Sequence, residues 1–328
     1  MKAVFYERLG PAREVLQFGE LERTEPGAGE VRVRVQWSGV NPSDVKTRMG
    51  ARAGGMPYPR VIPHSDGMGV IDAVGDGVPA DRVGERVWLW NAARGRAHGT
   101  ACEWLCLPQA QAVHLPDNVS GEAGACLGIP ALTALHAVLM DGGVAGKTVL
   151  VQGGAGAVGH YAVQFASQLG AARVLATVST PEKAALARAA GADEVILYKS
   201  EPVVERVLAL TGSRGVDRII ELDLAGNGEA DLAMLCDNGE CVIYGSNGPT
   251  VQLPFYPLIA KNIQLRFFIV YHLTPADRER ATRTLTRMLE RDTLQHIIGC
   301  RLPLAETATA HEMIERGEVT GNLVLQVG

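Results

Sequence analysis

The chain has 328 residues, a formal net charge of −5, 47% hydrophobic residues and 20% charged ones. That length exceeds one ordinary core and suits two domains, and the lack of any block of like charge argues against a nucleic-acid surface, which needs clustered Lys and Arg. Residues 1–10 carry Lys2, Glu7 and Arg8 and so hold no secretory apolar region, and the longest apolar-rich run, near Ile129 to Met140, is too short to span a bilayer. Six scattered cysteines, Cys102, Cys106, Cys126, Cys236, Cys241 and Cys300, read as free thiols of a reducing cytosol, so a cytoplasmic location is expected.

Up to about Pro116 the chain shows short β-like runs broken by Gly and Pro, at 31–35, 69–74 and 86–90, which indicate an irregular, mostly β module. From about Gly121 strands and helices alternate. Residues 148–151 form a short apolar, β-branched run of the kind buried in a parallel sheet. A glycine-rich turn follows, then a helix with Val158, Ala162, Phe165, Ala166 and Leu169 on one face and Gly170 placed to stop it. Strand 173–178, helix 181–190, strand 194–197, helix 202–211, strand 217–222, helix 229–236 and strand 240–244 continue the series. Residues 263–270 extend the sheet, and helices at 275–290 and 305–316 and the apolar end Leu323-Val324-Leu325 return to the first module. Such alternation predicts an α/β fold with a doubly wound parallel sheet.

The turn reads Gly153-Gly154-Ala155-Gly156-Ala157-Val158-Gly159, with G-x-G-x-x-G across Gly154, Gly156 and Gly159. Between a strand and a helix this motif has a mechanism: Gly154 for the tight turn, Gly156 for close approach of a diphosphate, Gly159 for helix–sheet packing. The diphosphate then meets unpaired N–H groups at the positive end of the helix. An NAD site places Asp or Glu about 20 residues on, for the ribose hydroxyls. Here no acidic residue stands between Gly159 and Pro181; that stretch ends in Ser179 and Thr180, and Lys183 follows in the first turn of the next helix. Hydroxyls and an ammonium suit a 2′-phosphate, which a carboxylate would repel, so NADPH is the expected cofactor.

Several segments carry a resemblance over essentially the whole chain. They are Ser38-Gly39-Val40-Asn41-Pro42-Ser43-Asp44, Ile62-Pro63-His64-Ser65-Asp66-Gly67-Met68-Gly69, Gly128-Ile129-Pro130-Ala131-Leu132-Thr133-Ala134, the glycine turn, Gly191-Ala192-Asp193 and Tyr244-Gly245-Ser246. With these the sequence resembles the zinc-independent quinone oxidoreductase (zeta-crystallin-like) branch of the medium-chain dehydrogenase/reductase superfamily. The resemblance implies a GroES-like substrate domain over 1–124 and 267–328, an NADPH-binding Rossmann domain over 125–266, a cleft between them and a homodimer. Zinc-dependent members place cysteine where this chain has Asn41 and histidine where it has Ser65, and neither Asn nor Ser is a good zinc ligand. His64 falls where the related motif has glycine, and Cys102 and Cys106 lack a second cysteine pair, so no metal is expected.

Matching motif positions implies roles for individual residues. Ala155, Gly156, Ala157 and Val158 would line the diphosphate, with Ser179, Lys183 and Tyr198 around the 2′-phosphate. Tyr244, Gly245, Ser246 and Asn247 would end the fifth strand over the cofactor, and Phe268, Ile269 and Val270 would flank the nicotinamide. Asn322 stands where many relatives carry lysine. Asn41, Lys46 and Tyr58 are the substrate-pocket candidates; Asn41 reads equally as a loop cap, and the Pro-Tyr-Pro setting weighs Tyr58 toward packing. Without a Lewis acid the chemistry expected is hydride delivery to a quinone or similar conjugated carbonyl, whose developing anion is delocalised. Two alternatives stay open: an NADPH-dependent enone or enoyl-thioester reductase, and a non-catalytic, crystallin-like NADPH-binding protein. No nucleic-acid or membrane partner is expected.

Overall fold

The computed structural model describes residues 1–51 and 55–328. They divide into two compact units, Met1–Ile129 with Thr286–Gly328, and Pro130–Leu285.

The second unit is built on six parallel strands in the spatial order Glu194–Leu197, Arg173–Val178, Thr148–Val151, Val216–Glu221, Leu235–Ile243, Gln264–Phe267. Their inward residues, Leu150, Leu175, Ile196, Ile219, Cys241 and Ile243, form one buried cluster with Val207, Leu224 and Leu232 from the helices. In chain order the arrangement is 3-2-1-4-5-6, with the reversal between Thr148–Val151 and Val216–Glu221, so the expected doubly wound sheet is present. One helix begins earlier than its sequence pattern suggests: it runs Leu224–Met234 rather than 229–236, because Gly226 and Gly228 mask its first turns. The strand after it, Leu235–Ile243, is longer than 240–244 and bends at Asn238, where φ is +60°.

The first unit holds a seven-stranded sheet in which Asp66–Val74 and Asn322–Gln326 flank the long strand Glu30–Val40, with Arg86–Leu89, Ala112–His114 and Ile298–Pro303 further out. Trp104–Pro108 pairs with Glu30 to Arg34 of the long strand, residues that largely also pair with Asp66–Val74 in its bulge-broken register. Alternating Val31, Val33 and Val35 meet Ile71, Val87, Leu89, Leu105, Leu107, Leu323 and Leu325 in the core. The compact units part at 129/130 and 285/286, against the expected 124/125 and 266/267. The Ile129 amide bonds to Asp66, and Gln264–Phe267 completes the parallel sheet while Phe268 packs edge-on against His136.

A buried cation fastens one helix of the second unit to its sheet. Arg218, 0% exposed, donates from Nε and Nη2 to Glu240 Oε2 at 2.9 and 2.6 Å, and from Nη1 and Nη2 to the carbonyls of Ala137, Val138 and Met140, which end the helix Leu132–Leu139. Removing the guanidinium orphans those carbonyls and leaves the Glu240 charge to Lys147 alone, 3.1 Å away. Arg218→Ala is expected to cost about 3–5 kcal/mol, read as a lower urea midpoint, and Arg218→Met less.

Candidate functional site

Because all six strands of the second unit are parallel, their C-terminal ends lie along one edge of the sheet, and the candidate cofactor residues fall there in strand order. Tyr198 follows Glu194–Leu197, and its amide donates to the Val178 carbonyl at 3.1 Å, beside Ser179 at the end of the neighbouring strand. The glycine turn follows Thr148–Val151, Tyr244–Asn247 follows Leu235–Ile243, and Phe268–Val270 follows Gln264–Phe267. Thr180 caps the helix Pro181–Ala189 through the Lys183 amide, so Lys183 sits in the first turn, half-buried. Tyr198 is half exposed.

The turn itself departs in one detail from its sequence reading. The left-handed residue is Gly153, φ +69°, rather than Gly154. Gly154 is instead a packing glycine: a Cβ there would lie 2.7 Å from Ala176 Cβ. At Gly159 a Cβ would meet the Gly153 carbonyl at 2.1 Å, so only glycine lets the helix Ala157–Gln168 begin so close to the turn. Gly156 is the exposed N-cap, and no side chain caps the first N–H groups of that helix. An open, uncapped helix start against a bare glycine backbone fits the diphosphate of a dinucleotide.

A cavity of about 710 Å³ opens on the same edge. Tyr244, Gly245 and Ser246 line it with Phe268 and Ile269, and His136, His272 and Asp277, which the sequence reading did not single out, complete its wall. Val270 is buried behind Ile269 and is not among the lining residues. The Asn247 amide and Nδ2 are bound by the two oxygens of Asp223, at 2.7 and 2.9 Å.

The remaining candidates lie in the first unit. Asn322 is buried there, its Nδ2 donating to the Ile297 carbonyl at 3.1 Å. Lys46 is exposed on the helix Pro42–Arg48, and Tyr58 is half-buried against the small cluster of Tyr6, Val15 and Val61. Asn41 is the N-cap of that helix and is buried; its amide N–H donates to Asp44 Oδ2 at 2.9 Å and its Nδ2 to Asp66 Oδ2 at 3.0 Å. The Ile129 amide also donates to Asp66 Oδ2, at 3.0 Å, while Oδ1 meets no donor. Burial, with the Asp44 charge nearby, holds the Asp66 carboxyl well above the usual range. Among the described residues no three His, Cys, Asp or Glu side chains converge as a metal site.

His64 stands at a position with φ +77°, a conformation that suits glycine, and its ring explains why histidine is tolerated. Arg48 can only donate, so its Nε bond to His311 Nδ1 (3.3 Å) makes that nitrogen the acceptor and puts the His311 proton on Nε2. His311 Nε2 then donates to His64 Nε2 (2.8 Å), His64 Nδ1 to Ser38 Oγ (2.9 Å), Ser38 to Thr100 Oγ1 (2.7 Å) and Thr100 to the Asp66 carbonyl. Arg48 is anchored in turn by Glu315 and the Gly10 carbonyl. Burial pushes His64 down to about 3 and His311 well below its ordinary value, aided there by the neighbouring His64 and Arg48, either of which disfavours a second cation.

Comparison with known proteins adds the following. The "Alcohol dehydrogenase GroES-like domain" family matches residues 27–117 and the "Zinc-binding dehydrogenase" family matches 157–289. The chain is 32% identical to a quinone oxidoreductase of Homo sapiens over 331 residues, 99% of this chain and 97% of the relative. It superposes on an NAD-dependent alcohol dehydrogenase with a TM-score of 0.90 and 30% identity, covering 100% of both chains. It superposes on the Escherichia coli quinone oxidoreductase in complex with NADPH with a TM-score of 0.87 and 25% identity, over 99% of this chain and 100% of the other.

The histidine chain makes the first unit acid-sensitive. Two imidazoles held neutral in the fold take up protons on unfolding, so their stability is complete above about pH 6.5 and lost as pH falls toward their folded values. Between pH 6.5 and 5 His64 is expected to cost about 2 kcal/mol, and His311 adds to the loss in the same direction. His64→Gly relieves the backbone but orphans the His311 proton, for a loss of about 1–3 kcal/mol at pH 7. Urea titrations of the two proteins should therefore converge toward pH 5, and parallel curves would show that His64 is not held neutral.

Proposed function

The chain belongs to the zinc-independent quinone oxidoreductase branch of the medium-chain dehydrogenase/reductase superfamily, and from that premise we propose that it is an NADPH-dependent reductase of quinones or similar conjugated carbonyls. One observation carries the reading: the parallel sheet brings the uncapped glycine turn to the same edge as Ser179, which ends a strand with no acidic residue between Gly159 and Pro181, and Lys183 in the helix turn that follows. When bound, NADPH supplies the hydride. The N–H groups opened by Ala155, Gly156, Ala157 and Val158 hold the diphosphate, and Ser179, Lys183 and Tyr198 take the 2′-phosphate by charge-assisted hydrogen bonds. Similarity of fold to an NAD-dependent enzyme does not decide between the two dinucleotides, because that choice rests on these few side chains.

The rest of the edge, Tyr244 to Asn247 and Phe268 to Val270, shapes and desolvates the place where the acceptor meets the reduced ring. Asn41, its amide oriented by Asp66, is the donor we assign to the acceptor oxygen or the adjoining ribose. Lys46 and Tyr58 serve as secondary candidates for the pocket, and Asn322 as an outer contact. Asn41 and Ser65 stand where zinc-dependent relatives carry ligands, so the reaction relies on hydrogen-bond donors and on an acceptor whose reduced anion is delocalised.

The proposal includes a cytoplasmic homodimer. The edge strand Gln264–Phe267 and the preceding helix Phe255–Ala260 expose Phe267 (65%), Phe255 (66%), Tyr256 (80%) and Ile259 (57%), an apolar border beside the strand's outer edge, which no described strand pairs and which a second copy of this chain would cover.

NADPH oxidation followed at 340 nm against 9,10-phenanthrenequinone, 1,4-benzoquinone and simple enones should show turnover with the quinones and no loss on EDTA treatment. Lys183→Ala should weaken NADPH by about tenfold and leave NADH nearly unchanged, a difference of about 1.4 kcal/mol. Tighter binding of NADH, or stoichiometric zinc in the active protein, overturns the reading. Light scattering should show a dimer that Phe267→Asp combined with Tyr256→Ser converts to monomer; a monomeric parent would dispose of the interface.

A further inference from the structure

Beneath the glycine turn a row of buried polar side chains crosses the ends of adjacent strands. The Gly153 amide donates to Thr177 Oγ1 at 3.1 Å, the Thr177 hydroxyl to Gln152 Oε1 at 2.6 Å, and Gln152 Nε2 to Asp231 Oδ1 at 2.8 Å. The direction is fixed from its first link, because a backbone amide can only donate and leaves the hydroxyl proton for Gln152. The row then reaches two acids. Asp231 Oδ2 meets no N–H or O–H donor, and the Asp231 carboxyl is in hydrogen-bond contact with Glu221. Both residues are 0% exposed. Glu221 Oε1 accepts from the Asp223 amide and from Asn227 Nδ2 at 3.1 Å, and Asp223 holds Asn247 through both its oxygens.

Two ionised carboxylates in contact, out of water, repel strongly, and one proton between them turns the repulsion into a hydrogen bond. We propose that Asp231 is a positioning residue that holds a proton against Glu221 and so ties the glycine turn to the Asn247 loop, fixing the spacing of two segments that grip the cofactor. The proposal rests on the assignment of that edge to NADPH. Burial, the Glu221 charge and the bond to Glu221 push Asp231 up to about 9. The other titratable groups facing the pair are the Cys241 thiol, raised by burial and by these two acids, and the Tyr244 phenol, raised by burial and by Glu221.

Asp231→Asn is the informative variant, since its oxygen accepts from Gln152 and its amide replaces the acid proton toward Glu221. Asp231→Ala breaks both links, and Gln152→Leu cuts the row without touching the acids should the alanine variant fail to fold. The first measurement uses the protein without cofactor. A folded pKa raised above the unfolded one means that folding takes up a proton, so stability is greatest at low pH and falls as pH rises toward 9. Between pH 5 and 8 the folding equilibrium of the parent should therefore lose about tenfold per pH unit relative to Asp231→Asn. The second measurement is NADPH binding by fluorescence. At pH 7 Asp231→Asn should bind like the parent, while Asp231→Ala and Gln152→Leu bind about tenfold more weakly; from pH 8 to 10 the parent should lose about tenfold against Asp231→Asn. Parallel pH curves for parent and Asp231→Asn, or equal damage from Asn and Ala, overturn the proposal. If no form binds NADPH, parent included, the cofactor assignment fails, and the cofactor-free measurement still decides whether the proton is there.

Discussion

Everything at the candidate cofactor edge depends on one backbone contact, the approach of the helix Ala157–Gln168 to the turn that precedes it. Gly159 lies so near the Gly153 carbonyl, and Gly154 so near Ala176, that neither position has room for a side chain. Without that closeness the helix would ride outward and its open N–H groups would no longer face the strand ends. The parallel sheet supplies the rest, because buried on both faces it leaves only its C-terminal edge for strand-to-helix turns and the ligand groups they carry. Local sterics and global topology thus converge on one line of residues.

The same economy of space leaves carboxylates inside both units, and each is handled differently. Glu240 has a cation, Arg218, whose remaining N–H groups close a helix end, so the charge is both neutralised and used. Asp66 has donors but no cation, and those two donors, Asn41 and Ile129, favour ionisation against the opposing effect of burial. Asp231 has one donor and a second acid. The first arrangement resists pH, whereas the second and third leave a group whose charge answers to its surroundings. The sensitive groups therefore sit beside the candidate residues, Asp66 next to Asn41 and Asp231 linked through Gln152 and Thr177 to the Gly153 amide of the glycine turn, whereas the Arg218–Glu240 pair braces a helix end.

Much of this was legible in the sequence, and the parts that were not have identifiable causes. Strands 148–151, 173–178 and 194–197 are apolar runs bounded by turn residues, and they lie where period and punctuation place them. The helix over 229–236 was legible, but its start at Leu224 was hidden because two glycines interrupt its first turns. The glycine turn was recognised by its motif, yet the left-handed residue is Gly153, one position before the motif begins, since the motif records which glycines cannot be replaced rather than which dihedral each adopts. His64 was visible as a departure from glycine. Its partner His311 is 247 residues away, a pairing that no periodicity reports.

Of the three side chains singled out for the substrate pocket, Asn41 is the one that is buried. Lys46 is exposed, and Tyr58 is half-buried against Tyr6 and Val61. Asn41 is held from two sides: its backbone amide by Asp44, its side-chain amide by Asp66. Asp66 in turn lies against Gly128, where a Cβ would fall 2.4 Å from Oδ1, so the carboxyl cannot swing toward that glycine. A donor stabilises a developing anion in proportion to how little it must move when the charge appears. A neutral amide held in place by a buried acid meets that condition. The residue that replaces a zinc ligand is thus also the one whose surroundings are most thoroughly prepared.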